Sequence, residues 1–549
     1  MPAPPDFPPD SLARHLEYVP RELAFGTSGR RGLVADLTQL EIYLNARAEL
    51  DYLLSLAPDQ GGIAQGAKFY LAHDLRPSST RRVPVAGGRG GIIEAIHRAV
   101  IDAGLLPVNL GAIPTPALAA YALARGAGSM MVTGSHIPFD RNGYKTNTAI
   151  GELMKADEAP INARVAAWRA RLQGQAAADS AFDARGMLRG PEQALPVAEG
   201  SGAREYRQRY VEFFGADALA GLRVLVYQHS AVGRDLLVET LEALGAQVTA
   251  TGRSETFVPI DTEAVDDATL AALQTLAEME SRAGHRFDAL VSTDGDSDRP
   301  LLVGLDYAPD GGVAARFFGG DLVGMVVAES LVPDAVVVPI SCNDAITLGK
   351  LASVLEPRTR IGSPHVIAGM LEARARGCAR VCGWEANGGF LTATDLRRGA
   401  RVLRALPTRD AFLPLFSVLE QMKTRGVRMA ELFEALPRRY SRAGLLREFP
   451  RARSLKILEA CGEGCTPYPP LESFFSHAHG FGTLAGRDYT DGLRLQFSNG
   501  DVAHIRPSGN ADELRLYAVA DTQARADEII RLGLAEPDGI LRHLAQAFG

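Results

Sequence analysis

Residues 289–300 read ALVSTDGDSDRP. Four residues of apolar and strand-favouring type, 289–292, are followed at once by a loop of aspartate, glycine and serine. A strand that empties into a polar, glycine-bearing loop predicts an α/β sheet, where ligands gather at the carboxyl ends of the strands. Within the loop Asp294, Asp296 and Asp298 alternate, so on an extended backbone all three point the same way. Three carboxylates this close repel one another unless a cation sits among them, and hard oxygen donors suit Mg²⁺ or Ca²⁺. An EF-hand is excluded, because its sixth position needs Gly and holds Arg299, and its twelfth needs Glu and holds Leu305. The competing reading is a solvated acidic turn, and the apolar run 300–303 counts against it.

The same alternation extends in both directions. Upstream, a strand over 68–73 (KFYLAH) runs into the loop DLRPSS, and residues 90–104 place apolar side chains at helical spacing before Gly104, a good C-cap. Short buried strands are predicted at 107–111 and 128–133. Residues 173–202 lack periodicity and read as a linker or loose surface segment. A second unit begins with a strand at 223–228 and a helix near 233–245. A third starts near Gly319, with a strand at 335–340, a helix over about 345–355 and a strand at 379–383. From about Ser441 the pattern changes. A hairpin pairs 493–498 with 501–505 through Asn499-Gly500, for which a type I′ turn is expected, followed by RPSGN, a strand at 513–519 and a helix at about 522–534. The expected architecture is three topologically related α/β domains, 1–190, 203–310 and 311–440, plus a C-terminal α+β domain, 441–549.

Composition agrees with a large globular protein. The chain has 549 residues, enough for three to five domains at about 100–200 residues each. Apolar residues make up 46% and charged residues 22%, which excludes a disordered, collagen-like or disulfide-scaffold chain. The net charge of −7 supplies no long-range attraction for nucleic acid or an anionic membrane, so positive charge for any anionic ligand must be local. Five cysteines form no disulfide framework, and the pairs Cys378/Cys382 and Cys461/Cys465 lack zinc-site spacing; free thiols are expected. The proline-rich acidic N-terminus does not read as a signal peptide, and no apolar run reaches the roughly 18 residues of a membrane span. A cytoplasmic protein with a small-molecule partner is expected, as monomer or homodimer.

Four more polar loops stand out. FGTSGRRG (25–32) allows close backbone approach, and Arg31 could fork onto phosphate or carboxylate; a plain turn with solvated arginines is the alternative. In TGSHIPFDRNGYK (133–145), Ser135 on a Gly turn is a candidate nucleophile, with Lys145 nearby. No G-x-S-x-G elbow surrounds it, and neighbouring side chains such as Ser135 and His136 are not expected to face each other. GWEANGG (383–389) offers Glu385 and Asn387 to sugar hydroxyls, or is simply a turn. RPSGN (506–510) combines Arg506, Ser508 and the Gly509 turn in an anion nest.

In this order and spacing the five loops resemble those of the α-D-phosphohexomutase superfamily, the phosphomannomutases and phosphoglucomutases, from about residue 25 to about 534. The resemblance implies that Ser135 carries the phosphoryl group, and that Asp294, Asp296 and Asp298 hold Mg²⁺ with a phosphoserine oxygen as a further ligand. It implies that Arg31 and Lys145 lie near the transferring group, with Arg299 following the metal loop. Glu385 and Asn387 would bind the sugar; Arg506, Ser508, Gly509, Asn510 and Arg515 would bind the substrate's phosphate end. His365 falls roughly where the family has an active-site histidine, so Lys145 and His365 are candidates for proton transfer. The sequence departs from the family pattern at Ile137, Asn387, Asn510 and Ser341, the last near a substrate-contacting Lys of some members. The implied activity is interconversion of hexose 6-phosphate and hexose 1-phosphate, mannose or glucose, through a hexose 1,6-bisphosphate. A Mg²⁺-dependent phosphatase with an aspartyl nucleophile, a phosphoglucosamine-type mutase and a non-catalytic bisphosphate-sugar sensor are the alternatives.

Overall fold

The computed structural model describes residues 7–26, 28–462, 471–509 and 512–549. Three mixed sheets come first. In the first, strand Lys68–His73 lies parallel to Leu106–Ala112 on one side and to Ser129–Val132 on the other. Arg141–Thr148 and Arg30–Leu33 then add antiparallel strands. The second sheet runs Gln247–Arg253, Arg223–His229, Ala289–Thr293, Pro300–Tyr307, Val313–Phe318. The third runs Ala335–Val337, Val381–Trp384, Phe390–Thr392, Leu406–Asp410. Both share the first sheet's habit of parallel strands followed by antiparallel ones, three parallel strands in the second sheet and two in the third. The fourth is a five-stranded, wholly antiparallel sheet built on Tyr440–Leu446 and Leu514–Ala520. Helix Gln523–Leu534 packs on those two strands. Its N-cap is Thr522, whose hydroxyl accepts from the Arg525 N–H and satisfies a donor that the first helical turn leaves open.

The cores explain the division. One continuous apolar cluster runs through the first three sheets, including Tyr70, Val226, Phe318, Trp384 and Phe416. The fourth sheet encloses a separate one around Leu495, Ile505, Leu516 and Ile529. Helix Ser201–Phe214 bridges the first and third units: the Ser201 hydroxyl donates to Tyr121, and the Tyr206 and Tyr210 hydroxyls both donate to buried Asp410. No helix among the described residues is long and apolar enough to cross a membrane.

Several expectations shift. The strand Val313–Phe318 hydrogen-bonds to Pro300–Tyr307, so the second unit extends past 310. The helix expected over about 345–355 is replaced by two short 3₁₀ turns, Asp344–Thr347 and Ala352–Val354; Gly349 interrupts the pattern, and Leu355 and Thr359 bridge back to Val336 and Pro339. The segment 173–202 is not uniformly loose, because Phe182 and Met187 are buried. The hairpin turn is not type I′. Gly500 has a φ of 85° while Asn499 stays out of the left-handed region, and Gly500 N–H donates to Phe497. That is a three-residue loop closed by a glycine bulge, which meets the strand twist with one left-handed residue instead of two. Cys342, Cys378 and Cys382 are free thiols; Cys465 lies outside the described residues.

Candidate active site

Ser135 sits past the end of strand Ser129–Val132, fully buried and at a φ of 52°. A serine held in the left-handed region costs about 1–3 kcal/mol, so its surroundings must over-determine it. They do. The Ser135 N–H donates to Thr133 Oγ1 at 2.7 Å. Buried Arg76 donates to four carbonyls of the loop: Ser135 and Ile137 from Nη2 at 2.9 and 2.6 Å, Pro138 and Arg141 from Nη1 at 2.9 and 3.1 Å. Asp74 holds Arg76 in an ion pair at 3.3 Å and also accepts from Thr133 Oγ1 and the Gly134 N–H. Gly134 is needed here, since a Cβ would stand 2.6 Å from Arg76 Nε. The left-handed turn has a consequence that sequence adjacency hides: His136 Nδ1 lies 3.3 Å from Ser135 Oγ, so these neighbours do meet.

The loop after strand Ala289–Thr293 arrives from the second unit. Ser135 Oγ donates to Asp294 Oδ2 at 2.8 Å. Asp294, Asp296 and Asp298 are buried, with potential ligand oxygens all within 4.8 Å of one another. Thr115 Oγ1 donates to Asp296 Oδ2 at 2.6 Å, and Lys145 Nζ donates to Asp296 Oδ2 and Asp298 Oδ2, both at 2.7 Å. Asp296 Oδ1 and Asp298 Oδ1 are buried without any hydrogen-bond partner. Two orphaned carboxylate oxygens beside a third carboxylate fit a hard divalent cation.

Electrostatics divide the three acids. Burial and the charges of Asp296 and Asp298 push the Asp294 carboxyl well above the ordinary range. Burial acts on Asp296 in the same sense, but Lys145, the Thr115 hydroxyl and Arg31 together outweigh it and hold that carboxyl well below. Asp298 is likewise lowered against burial, chiefly by Arg409. Around them stand guanidiniums with unused donors. Arg31 Nε is buried without a hydrogen-bond partner, and burial with the nearby Arg299 and Arg409 charges brings Arg31 down to about 10. Arg299 approaches Asp261, Asp298 and Asp294 at 3.5–3.8 Å but leaves Nε and Nη1 without a hydrogen bond. Burial and Arg299 keep His136 far below its usual range, hence neutral.

One cavity joins these groups to the later loops: Arg31, His136, Arg299, Glu385, Arg506 and Ser508 all line it. Asn387, Gly509 and Arg515 line it too. Glu385 Oε2 accepts from Arg409 at 2.8 Å. Asn387 spends its side-chain oxygen on the Gly389 N–H, so it shapes the loop as well as facing the cavity. Arg506 pairs with Asp491 at 3.0 Å, and the Ser508 N–H donates to Glu513. Arg515 is engaged by Asp261 at 3.0 Å and Glu263 at 3.2 Å, two carboxylates of the second unit. Asn510 lies outside the described residues. His365 goes elsewhere. It lines a groove with Arg360 and Glu372, apart from the cavity that Arg31 and His136 line, and its charge environment is set by Lys155, Asp491, Arg360 and Arg506.

Asp74, Arg76, Asp261 and Arg409 belong to none of the five polar loops. The first two carried a usable signal, since they follow strand Lys68–His73 as the other loops follow theirs. Asp261 sits in a segment without regular structure, and Arg409 ends a strand with no glycine loop behind it.

The chain is similar in sequence and fold to known proteins. The family description "Phosphoglucomutase/phosphomannomutase, alpha/beta/alpha domain I" matches residues 22–171, and that of domain III of the same family matches 319–440. A phosphomannomutase of Sinorhizobium fredii is 38% identical over 514 residues, 93% of this chain and 98% of its own. The chain belongs to the α-D-phosphohexomutase superfamily. A phosphomannomutase of Salmonella muenchen is 36% identical, over 93% of this chain and 95% of its own. A phosphoglucomutase/phosphomannomutase family protein from Burkholderia thailandensis has the same fold, with a TM-score of 0.63 at 18% identity, covering 95% of this chain and 98% of that one. This phosphohexomutase is an isomerase, an intramolecular phosphotransferase.

Proposed function

We propose that the chain interconverts hexose 6-phosphate and hexose 1-phosphate, taking mannose and glucose, with Ser135 as phosphoryl carrier and Mg²⁺ at Asp294, Asp296 and Asp298. The supporting observation is the 2.8 Å hydrogen bond from Ser135 Oγ to Asp294, at the rim of a buried triad with two orphaned oxygens and beneath guanidiniums with unused donors. A nucleophile, a cation site and a demand for anions coincide at one point. When bound, Mg²⁺ supplies charge stabilisation to the transferring phosphoryl group.

The chain's own residues do the rest. Arg506, Ser508 and Gly509 grip the phosphate that stays put, while Arg31, Lys145 and Arg299 balance the charge of the one that moves. Glu385 and Asn387 read sugar hydroxyls. His136, neutral and 3.3 Å from Ser135 Oγ, is the imidazole within proton-transfer reach. The hexose 1,6-bisphosphate reorients between the two transfers, which exchanges positions 1 and 6 and, with them, hydroxyls 3 and 4. Those are equatorial in both glucose and mannose, so one sugar loop serves both orientations of either hexose. A difference confined to carbon 2 is worth only about 1–3 kcal/mol in discrimination. The reading places the enzyme in the cytoplasm and divides the chain into three α/β units and a C-terminal clamp.

The test is kcat/KM for mannose, glucose and N-acetylglucosamine 1-phosphates under one set of conditions with catalytic hexose 1,6-bisphosphate. Comparable values for the two hexoses and a poorer acetamido sugar are expected. A several-thousand-fold preference for any one of the three, or phosphate release without isomerisation, refutes the reading.

A further inference from the structure

Arg409 belongs to none of the glycine loops, yet it touches two of them. It lies on strand Leu406–Asp410 of the third unit and is 3% exposed. Its Nε and Nη2 donate to Asp298 Oδ2 at 3.1 and 2.9 Å. Its Nη1 donates to Glu385 Oε2 at 2.8 Å and to Ser363 Oγ at 3.3 Å. One planar guanidinium therefore spans the aspartate loop of the second unit and the Glu385 loop of the third, with both carboxylates buried. The strand end is fixed in turn against the first unit, where Glu152 accepts from Thr408 at 2.6 Å and from Ser363 at 2.7 Å. The Glu385 loop is also shaped around this side chain, for a Cβ at Gly389 would stand 2.6 Å from Arg409 Cδ and 2.7 Å from Cγ. Gly389 is glycine because the arginine stem runs through the space of its missing side chain.

Each carboxylate thus has one oxygen committed. Asp298 Oδ2 is taken by Arg409 and Lys145, leaving Oδ1 orphaned; Glu385 Oε2 is taken by Arg409 while Glu385 lines the cavity. We propose that Arg409 is a positioning residue shared by two sites: it orients Glu385 for the sugar while, as a competing cation on Asp298, it moderates the hold of the aspartates on their metal. The inference rests on the proposed roles of the aspartate triad and Glu385.

It makes the two sites move in opposite directions when the fork is removed. Arg409→Met keeps the stem and deletes a positive charge beside three aspartates, so the cation should bind more tightly while the sugar binds less well. Arg409→Lys keeps the charge but pairs with one carboxylate at a time. Gly389→Ala pushes on the stem with the charge intact. Mn²⁺ affinity is read by electron paramagnetic resonance without sugar, and KM for mannose 1-phosphate by turnover, after thermal melts show which variants fold. Arg409→Met should tighten Mn²⁺ several-fold and raise KM at least tenfold; the other two should raise KM with Mn²⁺ affinity near that of wild type, and they carry the test if Arg409→Met does not fold. Parallel weakening of both sites marks a merely structural residue and overturns the proposal, as do unchanged values in a wild type that binds Mn²⁺ and turns over. A wild type that binds no Mn²⁺ refutes the cation reading itself, and this inference with it.

Discussion

Replacing Arg76 by Met should disable the enzyme without touching any residue that meets substrate. The side chain volume is kept, but four loop carbonyls lose their donor and Asp74 loses its ion-pair partner. Asp74 keeps Thr133 Oγ1 and Ser79 Oγ, so its charge is still partly satisfied. Removing one member of a buried pair costs about 3–5 kcal/mol. Taking the lower end, because Asp74 retains those donors, about 3 kcal/mol should lower the melting point of a unit of this size by roughly 6–12 °C. The catalytic effect is separate. Ser135 is held at a φ of 52° by this clamp together with its bonds to Thr133 and Asp294, and losing four clamp bonds lets the strained loop shift. A shift of about 1 Å in a reacting group costs on the order of 100-fold in rate. Calorimetry gives the first number and mutase turnover at a temperature where the variant remains folded gives the second. The expected result is kcat down 100-fold or more with KM for the sugar phosphate nearly unchanged, since the phosphate-end loop lies in the fourth unit. A variant with wild-type kcat would show that Arg76 does not hold the Ser135 loop in its working shape.

Ser135→Ala should remove nearly all turnover while the protein still folds, and peptide mass spectrometry should find phosphate on Ser135 of the wild type; retained turnover refutes the assignment. Excess EDTA should abolish activity, and Asp296→Asn should weaken Mg²⁺ affinity; full activity in EDTA refutes the cation role. Arg506→Ala should raise KM for the sugar phosphate strongly through loss of a charge-assisted contact, and an unchanged KM counts against the phosphate-end role. Stability should also fall in mild acid. Burial brings His229 and His504 down to about 4 from 6.5, so between those values the unfolded chain binds more protons than the native one. Stability therefore rises with pH across that window and is lost on acidification, by up to about 3 kcal/mol for each histidine. Melting points of the His229→Gln variant that decline as steeply as wild type between pH 6.5 and 4 would remove His229 from this account.

The strands and the polar loops behind them were legible in the sequence because their causes are local. A buried strand needs a short apolar run, a close backbone approach needs glycine, and a cation site needs several acids within a few residues; 129–135 and 502–509 carry the first two in one stretch, and 289–298 carries all three. Where a local pattern met a competing long-range pairing, the pairing won, as when Leu355 bridged to Val336 and no helix formed over 345–355. What only the tertiary structure decided is which distant groups share the site. Arg76 stands 59 residues from Ser135, Asp294 stands 159 from it, and Arg409 stands 111 from Asp298. No periodicity encodes such a meeting. It follows from which sheet edges face one another once three apolar faces have merged into one core, and a buried arginine or carboxylate then finds its role because, away from water, it must be paired.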